Sequence, residues 1–127
     1  MKKFFIVGLI FIILLSGCAK LTEEQKIILE NKPEDISDQF YLDMVECFME
    51  ILNIIEYQTV DPYYKNAKKI TKKYTDNLKK LNNKEKEILQ TMISLLENDK
   101  KYIENDFSVV YLEQSSEYID EIIGLMA

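Results

Sequence analysis

From residue 36 onward, apolar side chains recur at three- and four-residue steps, the spacing that lines one face of an α-helix. Ile36, Phe40, Met44, Cys47, Phe48, Ile51 and Ile55 mark a first long helix over residues 36–60, and Tyr41, Val45 and Leu52 widen its apolar face. Asp61-Pro62 then predicts a new helix start, because Asp can cap free amides and Pro at the first position has no amide to lose. The second stripe runs through Tyr63, Ala67, Ile70, Tyr74, Leu78 and Leu81. Asn82-Asn83 breaks it, and Asn82 with Glu85 forms the pattern of a capping box for a third helix carrying Leu89, Met92, Leu96 and Ile103. A fourth segment, Phe107 to Met126, carries Phe107, Val110, Tyr111, Tyr118, Ile122 and Leu125. Phe107 to Leu112, with Val109-Val110, also has β character. A lone strand would leave its backbone groups unpaired, so the segment is read as helical. Whether residues 83–126 run as one helix or two stays open at Asn105-Asp106. Upstream, Thr22 and Gln25 fit a capping box for a short helix over residues 23–30, which Asn31-Lys32-Pro33 ends. The pattern as a whole predicts an all-α fold, a small antiparallel bundle of three to four helices.

The first residues follow a different logic. Met1-Lys2-Lys3 is a basic start, and Phe4 to Leu15 is apolar apart from Gly8. That run is too short for a membrane span, which needs about 20 apolar residues, but it has the length of a secretion signal. Leu15-Ser16-Gly17-Cys18 follows it directly. The ordered set of basic start, apolar run, small residues and Cys resembles the lipobox of bacterial lipoprotein precursors. The resemblance covers the first eighteen residues or so. It implies cleavage between Gly17 and Cys18 and a diacylglyceryl group on the Cys18 sulfur, and it leaves the new amine open to acylation. It implies in turn an exported protein, lipid-anchored to a bacterial membrane with its domain on the extracytoplasmic side. The expected organisation is a signal peptide over 1–17, a lipidated Cys with tether and short helix over 18–35, and a helical bundle domain over 36–127. Removing Lys2 and Lys3 takes the formal net charge from −6 to −8.

Composition narrows the chemistry. The 127 residues include no His and no Trp, and every basic residue is Lys. A catalytic Ser–His–Asp or Cys–His arrangement is therefore impossible, and no guanidinium can grip a phosphate in two-pronged fashion. No Gly-rich phosphate loop or calcium-loop pattern occurs. Carboxylate pairs at helical spacing, Glu46 with Glu50 and Glu113 with Glu117 and Glu121, read as solvated faces, since acid–base work needs two differing environments and a cleft. We therefore expect a non-catalytic protein with no metal and no cofactor beyond its covalent lipid. With Cys18 lipidated, Cys47 is the remaining thiol; its place on the apolar stripe predicts burial, against the alternative of an interchain disulfide.

Charge is unevenly distributed. Residues 34–61 hold eight acids and no base, whereas 62–82 hold seven Lys and one acid. An antiparallel hairpin would set the two runs side by side. Lys65, Lys68, Lys69, Lys72 and Lys73 also make a basic strip able to meet anionic lipid or envelope polymer. Tyr57, Tyr63 and Tyr64 flank the corner between the first two helices and are candidates for a protein interface or, equally, for closing the end of the bundle. An acidic chain without a recognised binding motif gives no reason to expect nucleic acid. The expected partners are a membrane, through the lipid, and another envelope or surface protein. The expected role is protein interaction or scaffolding. The alternative is a structural lipoprotein that contacts anionic polymer or lipid through the Lys strip. A carboxylate-dependent enzyme would require a deep pocket with two buried acids.

Overall fold

The computed structural model describes residues 21–57 and 64–127. Among them are five α-helices: α1 (Glu23–Glu30), α2 (Asp38–Tyr57), α3 (Lys65–Thr75), α4 (Asn83–Glu104) and α5 (Val109–Met126). A 3₁₀ turn, Leu78–Lys80, lies between α3 and α4. No strand occurs among the described residues. The fold is an all-α bundle, with the directions of its helices set by cross-contacts. Asp43 near the start of α2 meets Tyr74 at the end of α3, whereas Glu50 further along α2 accepts from Ala67 N–H at 3.4 Å. Tyr41 of α2 donates to the carbonyl of Met126 at the end of α5 (3.3 Å). Ser37, just before α2, meets Glu85 in the first turn of α4. Helices α2 and α4 therefore run together, with α3 and α5 opposed to them.

The core is formed where the stripes meet. Phe40, Met44, Cys47 and Ile51 of α2 join Ile88, Leu89, Met92 and Leu95 of α4 and Ile122 of α5, all essentially removed from solvent. Ala67 lets α3 approach closely enough for the Cys47 thiol to lie 3.8 Å from its carbonyl. The Phe40 and Tyr74 rings meet edge to face at 4.9 Å, the orientation that ring quadrupoles favour. Cys47 is buried as expected. Burial, reinforced by Glu46, Glu50 and Asp43, holds its thiol far above the usual range, so the folded chain offers no reactive thiolate at this position.

Both expected capping boxes form. Thr22 Oγ1 accepts from Gln25 N–H at 3.1 Å while Gln25 Oε1 accepts from Thr22 N–H at 2.9 Å. Asn82 Oδ1 accepts from Glu85 N–H at 2.8 Å, and Glu85 Oε1 accepts from Asn82 N–H at 3.0 Å. The question at Asn105-Asp106 resolves into two helices. Asp106 and Phe107 both take left-handed backbone (φ 55° and 59°), which stops α4. The corner is closed by Phe107 N–H on the Tyr102 carbonyl at 2.8 Å and by the two rings edge to face at 5.3 Å. Asn98 then fastens the hairpin, donating to the Tyr111 carbonyl (2.8 Å) and to the buried Ser115 hydroxyl (2.7 Å).

One expectation needs correcting, and another falls partly outside the described residues. The second helix does not continue to Leu81: it ends at Thr75, and Leu78 is largely exposed. Local bonds favour the break, because the Thr75 hydroxyl donates back to Thr71 and Asn77 donates back to Lys73, side-chain competition that weakens helix interiors. The first long helix starts at Asp38 and is described to Tyr57, so its expected extension to residue 60 falls outside the described residues, as do Asp61 and Pro62. Gly124 sits in α5 with open space around the position of an added Cβ. Gly124→Ala is expected to stabilise the chain by roughly 0.5 kcal/mol through reduced freedom of the unfolded state, measurable as a raised urea midpoint with unchanged slope.

Candidate functional site

Among the described residues the bundle holds three buried acids, Asp43, Glu85 and Asp99. Each is built into a different contact set. Asp43, on the inner side of α2, accepts from Gln39 Nε2 (2.9 Å), from Lys73 Nζ (3.2 Å) and from the Tyr74 hydroxyl. Lys73 also stands 5.0 Å over the Tyr74 ring. This is the point where the acidic and basic runs engage across the α2–α3 hairpin. Next to it, burial raises the Glu46 carboxyl above its ordinary value, aided by Asp43 and Glu50 and opposed by Lys73.

Glu85 belongs to the bundle's other business, helix ends. Beyond its capping box, its second oxygen accepts from the Ser37 backbone N–H (3.1 Å) and hydroxyl (2.9 Å). One carboxylate thus serves the starts of α2 and α4 together. Lys84 on Asp35 (3.2 Å) and Asn82 on the Asp35 carbonyl (2.6 Å) close the same corner.

Asp99 is the unusual group. It lies on α4 facing the core, 0% exposed, and Tyr64 donates its hydroxyl to Oδ2. Among the described residues, Oδ1 has no hydrogen-bond partner. Burial lifts the carboxyl to about 6, against the lowering effect of the Tyr64 bond. Tyr64 is itself held above its usual range by burial and by Asp99. Its backbone is left-handed (φ 39°), an uncommon state for a bulky residue. That geometry turns the chain into α3 and directs the ring inward.

The structure therefore places one expected interface residue elsewhere. Tyr64 is 3% exposed and occupied with Asp99, so it is a core residue. Tyr63 lies outside the described residues, as does the side chain of Tyr57. Gly17 and Cys18 lie outside them too. The Lys strip is on the surface: Lys65, Lys68, Lys69, Lys72 and Lys73 are all exposed, opposite the buried Ala67 and Thr71. Lys73 is engaged with Asp43, and the other four face outward.

No protein-family model, curated protein or solved structure matches this chain. The candidate sites thus rest on the molecule's own surfaces. Among the described residues, no group of three or more His, Cys, Asp or Glu is placed to hold a metal ion, and no helix is long and apolar enough to cross a membrane.

Sequence reasoning did not single out a further surface feature. Helix α5 leaves Val109 (64%), Val110, Leu112 (37%) and Ile123 (49%) in solvent. Val110 was expected in the packed stripe of this segment and is exposed, whereas Ile122 of that stripe is buried, Tyr118 and Leu125 pack against the core, and Ser115 and Met126 join them. A signal was present in the spacing. Val109, Leu112, Ser116, Ile119 and Ile123 form a second three-four stripe beside the one that packs.

Proposed function

We propose that this chain is an exported lipoprotein, anchored through Cys18, whose helical domain works as a non-catalytic binding or scaffolding module at a bacterial cell envelope. The anchor rests on the lipobox resemblance at Leu15-Ser16-Gly17-Cys18. Two or more acyl chains on one residue anchor stably, where one binds only marginally. Helix α1 begins five residues after Cys18, so the tether spans at most about 17 Å and the domain works close to the bilayer. The observation that carries the binding role is the apolar surface α5 leaves in water, beyond what the core consumes. Contiguous apolar patches of this kind mark interaction sites.

Cys18→Ser is expected to abolish metabolic labelling by palmitate and release the domain from membranes; persistent labelling would remove the anchor from the account. Crosslinking in the native cell, read by mass spectrometry, tests the module: a reproducible protein partner is the expected result. Crosslinks to lipid or glycan alone, lost as salt rises, would overturn it.

That second outcome has its own support in the outward set Lys65, Lys68, Lys69 and Lys72. Each exposed Lys near an anionic surface contributes roughly 1 kcal/mol. Charge reversal at Lys68, Lys69 and Lys72 together separates the readings. It abolishes polymer or lipid contact and leaves a partner bound through α5 in place.

A further inference from the structure

We infer that the exposed stripe of α5 docks a Lys- or Arg-rich amphipathic helix of a partner protein. The inference rests on the binding-module reading and specifies its surface and partner. At 100° per residue, Val109, Leu112, Ser116 and Ile123 fall within an arc of about 60°. All four are exposed, and Ile119 and the buried Met126 continue the apolar surface toward the core. The spacing 109, 112, 116, 123 follows the alternating three-four step by which one helix receives another.

Charge states what kind of helix. On the far side of the stripe from the core, in order around the helix, come Asp120, Glu113, Glu117 and Glu121, all exposed. From Tyr102 to Ala127 the chain carries six acids and no base. An apolar strip with a flank of four acids, interrupted by Gly124 and Val110, fits a helix whose apolar strip is flanked by cations. Such pairing selects partners more than it adds affinity. A second copy of α5 would set acid against acid. The basic helix α3 of a second copy has the right charge, but its exposed face from Lys65 to Thr75 is Lys, Asn and Thr with no apolar side chain to cover the stripe. A foreign basic amphipathic helix satisfies both requirements.

The probe is a synthetic peptide of about five helical turns, with Leu at heptad a and d positions and Lys elsewhere. Two controls accompany it, one with Glu for every Lys and one with the same Leu and Lys in scrambled order. Binding to the full chain, as matured by the producing cell and held in phosphatidylcholine nanodiscs, is read by fluorescence anisotropy against empty discs. The Lys peptide should bind at least about ten-fold more tightly than either control. Leu112→Ser with Ile123→Ser should cost about ten-fold or more, because anchors at the centre of an interface dominate its affinity; Glu113→Lys with Glu117→Lys should cost as much, because like charges set against the peptide's Lys repel. Lys68→Glu with Lys69→Glu, on α3, should not weaken binding. These positions are exposed, and unchanged circular dichroism confirms that the variants fold. Equal binding of all three peptides, or binding indifferent to the α5 variants, overturns the inference. So does a dimer of the chain alone that Leu112→Ser with Ile123→Ser dissociates. If the peptide fails while native-cell crosslinking returns a protein partner on another face, the binding-module reading stands and this inference alone falls.

Discussion

Tyr64→Phe is expected to destabilise the bundle by about 2–3 kcal/mol at pH 7 and by only about 1 kcal/mol at pH 5. The substitution removes one oxygen and leaves the packing almost unchanged. What it takes away is the hydrogen bond to Asp99, a group with no solvent exposure and a second oxygen already without a partner among the described residues. At pH 7 the carboxyl is mostly ionised, and a buried charge that loses its partner is among the costliest defects in a core. At pH 5 it is mostly protonated, so the lost bond is of the ordinary neutral kind. The sign for the unmutated chain follows from the same shift. Burial raises the Asp99 carboxyl from 3.8 to about 6, so the folded state holds this proton more tightly than the unfolded state. Its contribution to stability is fully present below about pH 3.8 and is lost as pH rises through about 6. That change corresponds to roughly 3 kcal/mol over the window. Glu46, also raised by burial, pushes the same way. Urea unfolding should therefore show a chain more stable at pH 5 than at pH 7, with Asp99→Asn flattening the difference. A Tyr64→Phe loss that is the same at both pH values would show that Asp99 does not titrate in this range.

Glu85→Ala is expected to cost about 2–3 kcal/mol, more than a single helix cap, which is typically worth about 1 kcal/mol. The excess arises because this side chain serves two helix starts. Its loss frees Asn82 N–H at α4 and both the N–H and hydroxyl of Ser37 at α2. Glu85 is itself buried, so the released donors lie where water cannot fully replace it. Gln25→Ala provides the contrast. It removes the matching half of the α1 capping box, but α1 has no buried residue, so its opening is a local event and the global unfolding free energy should barely move. Hydrogen exchange reads both: faster exchange at Ser37 and Asn82 in the first variant, and at Thr22 alone in the second. A Glu85→Ala loss no larger than that of Gln25→Ala would mean that the Ser37 contact contributes nothing in solution.

The difference between those two caps shows how far sequence reading reaches. Thr22 with Gln25 and Asn82 with Glu85 were legible because both partners lie within one turn, where bond geometry follows from spacing alone. The contact of Glu85 with Ser37 spans 48 residues, and no local rule announces it. Asp99 was half legible. It occupies the step between Leu96 and Ile103 on the apolar stripe of α4, an acid where an apolar residue belongs. Its partner, 35 residues away at the corner before α3, was not. Tyr64 stood open between surface and core because an aromatic beside a corner can face either way, and its left-handed backbone decides for the core. The expected continuation of the second helix to Leu81 failed for a related reason. Apolar spacing said nothing about the Thr75 and Asn77 side chains that bond back on the preceding turn.

The sequence by itself determined the helical class, the positions of most helices, both capping boxes, the burial of Cys47 and the charge asymmetry of the first hairpin. These depend on periodicity and short-range bonding, which the order of residues specifies directly. The tertiary structure alone decided that Val110 faces solvent and that the second stripe of α5, through Val109, Leu112 and Ile123, stays uncovered. It also decided where α3 stops and which acids are enclosed. Each of those outcomes is a competition between surfaces distant in the chain. Two apolar stripes on one helix are equivalent until a neighbouring helix covers one of them.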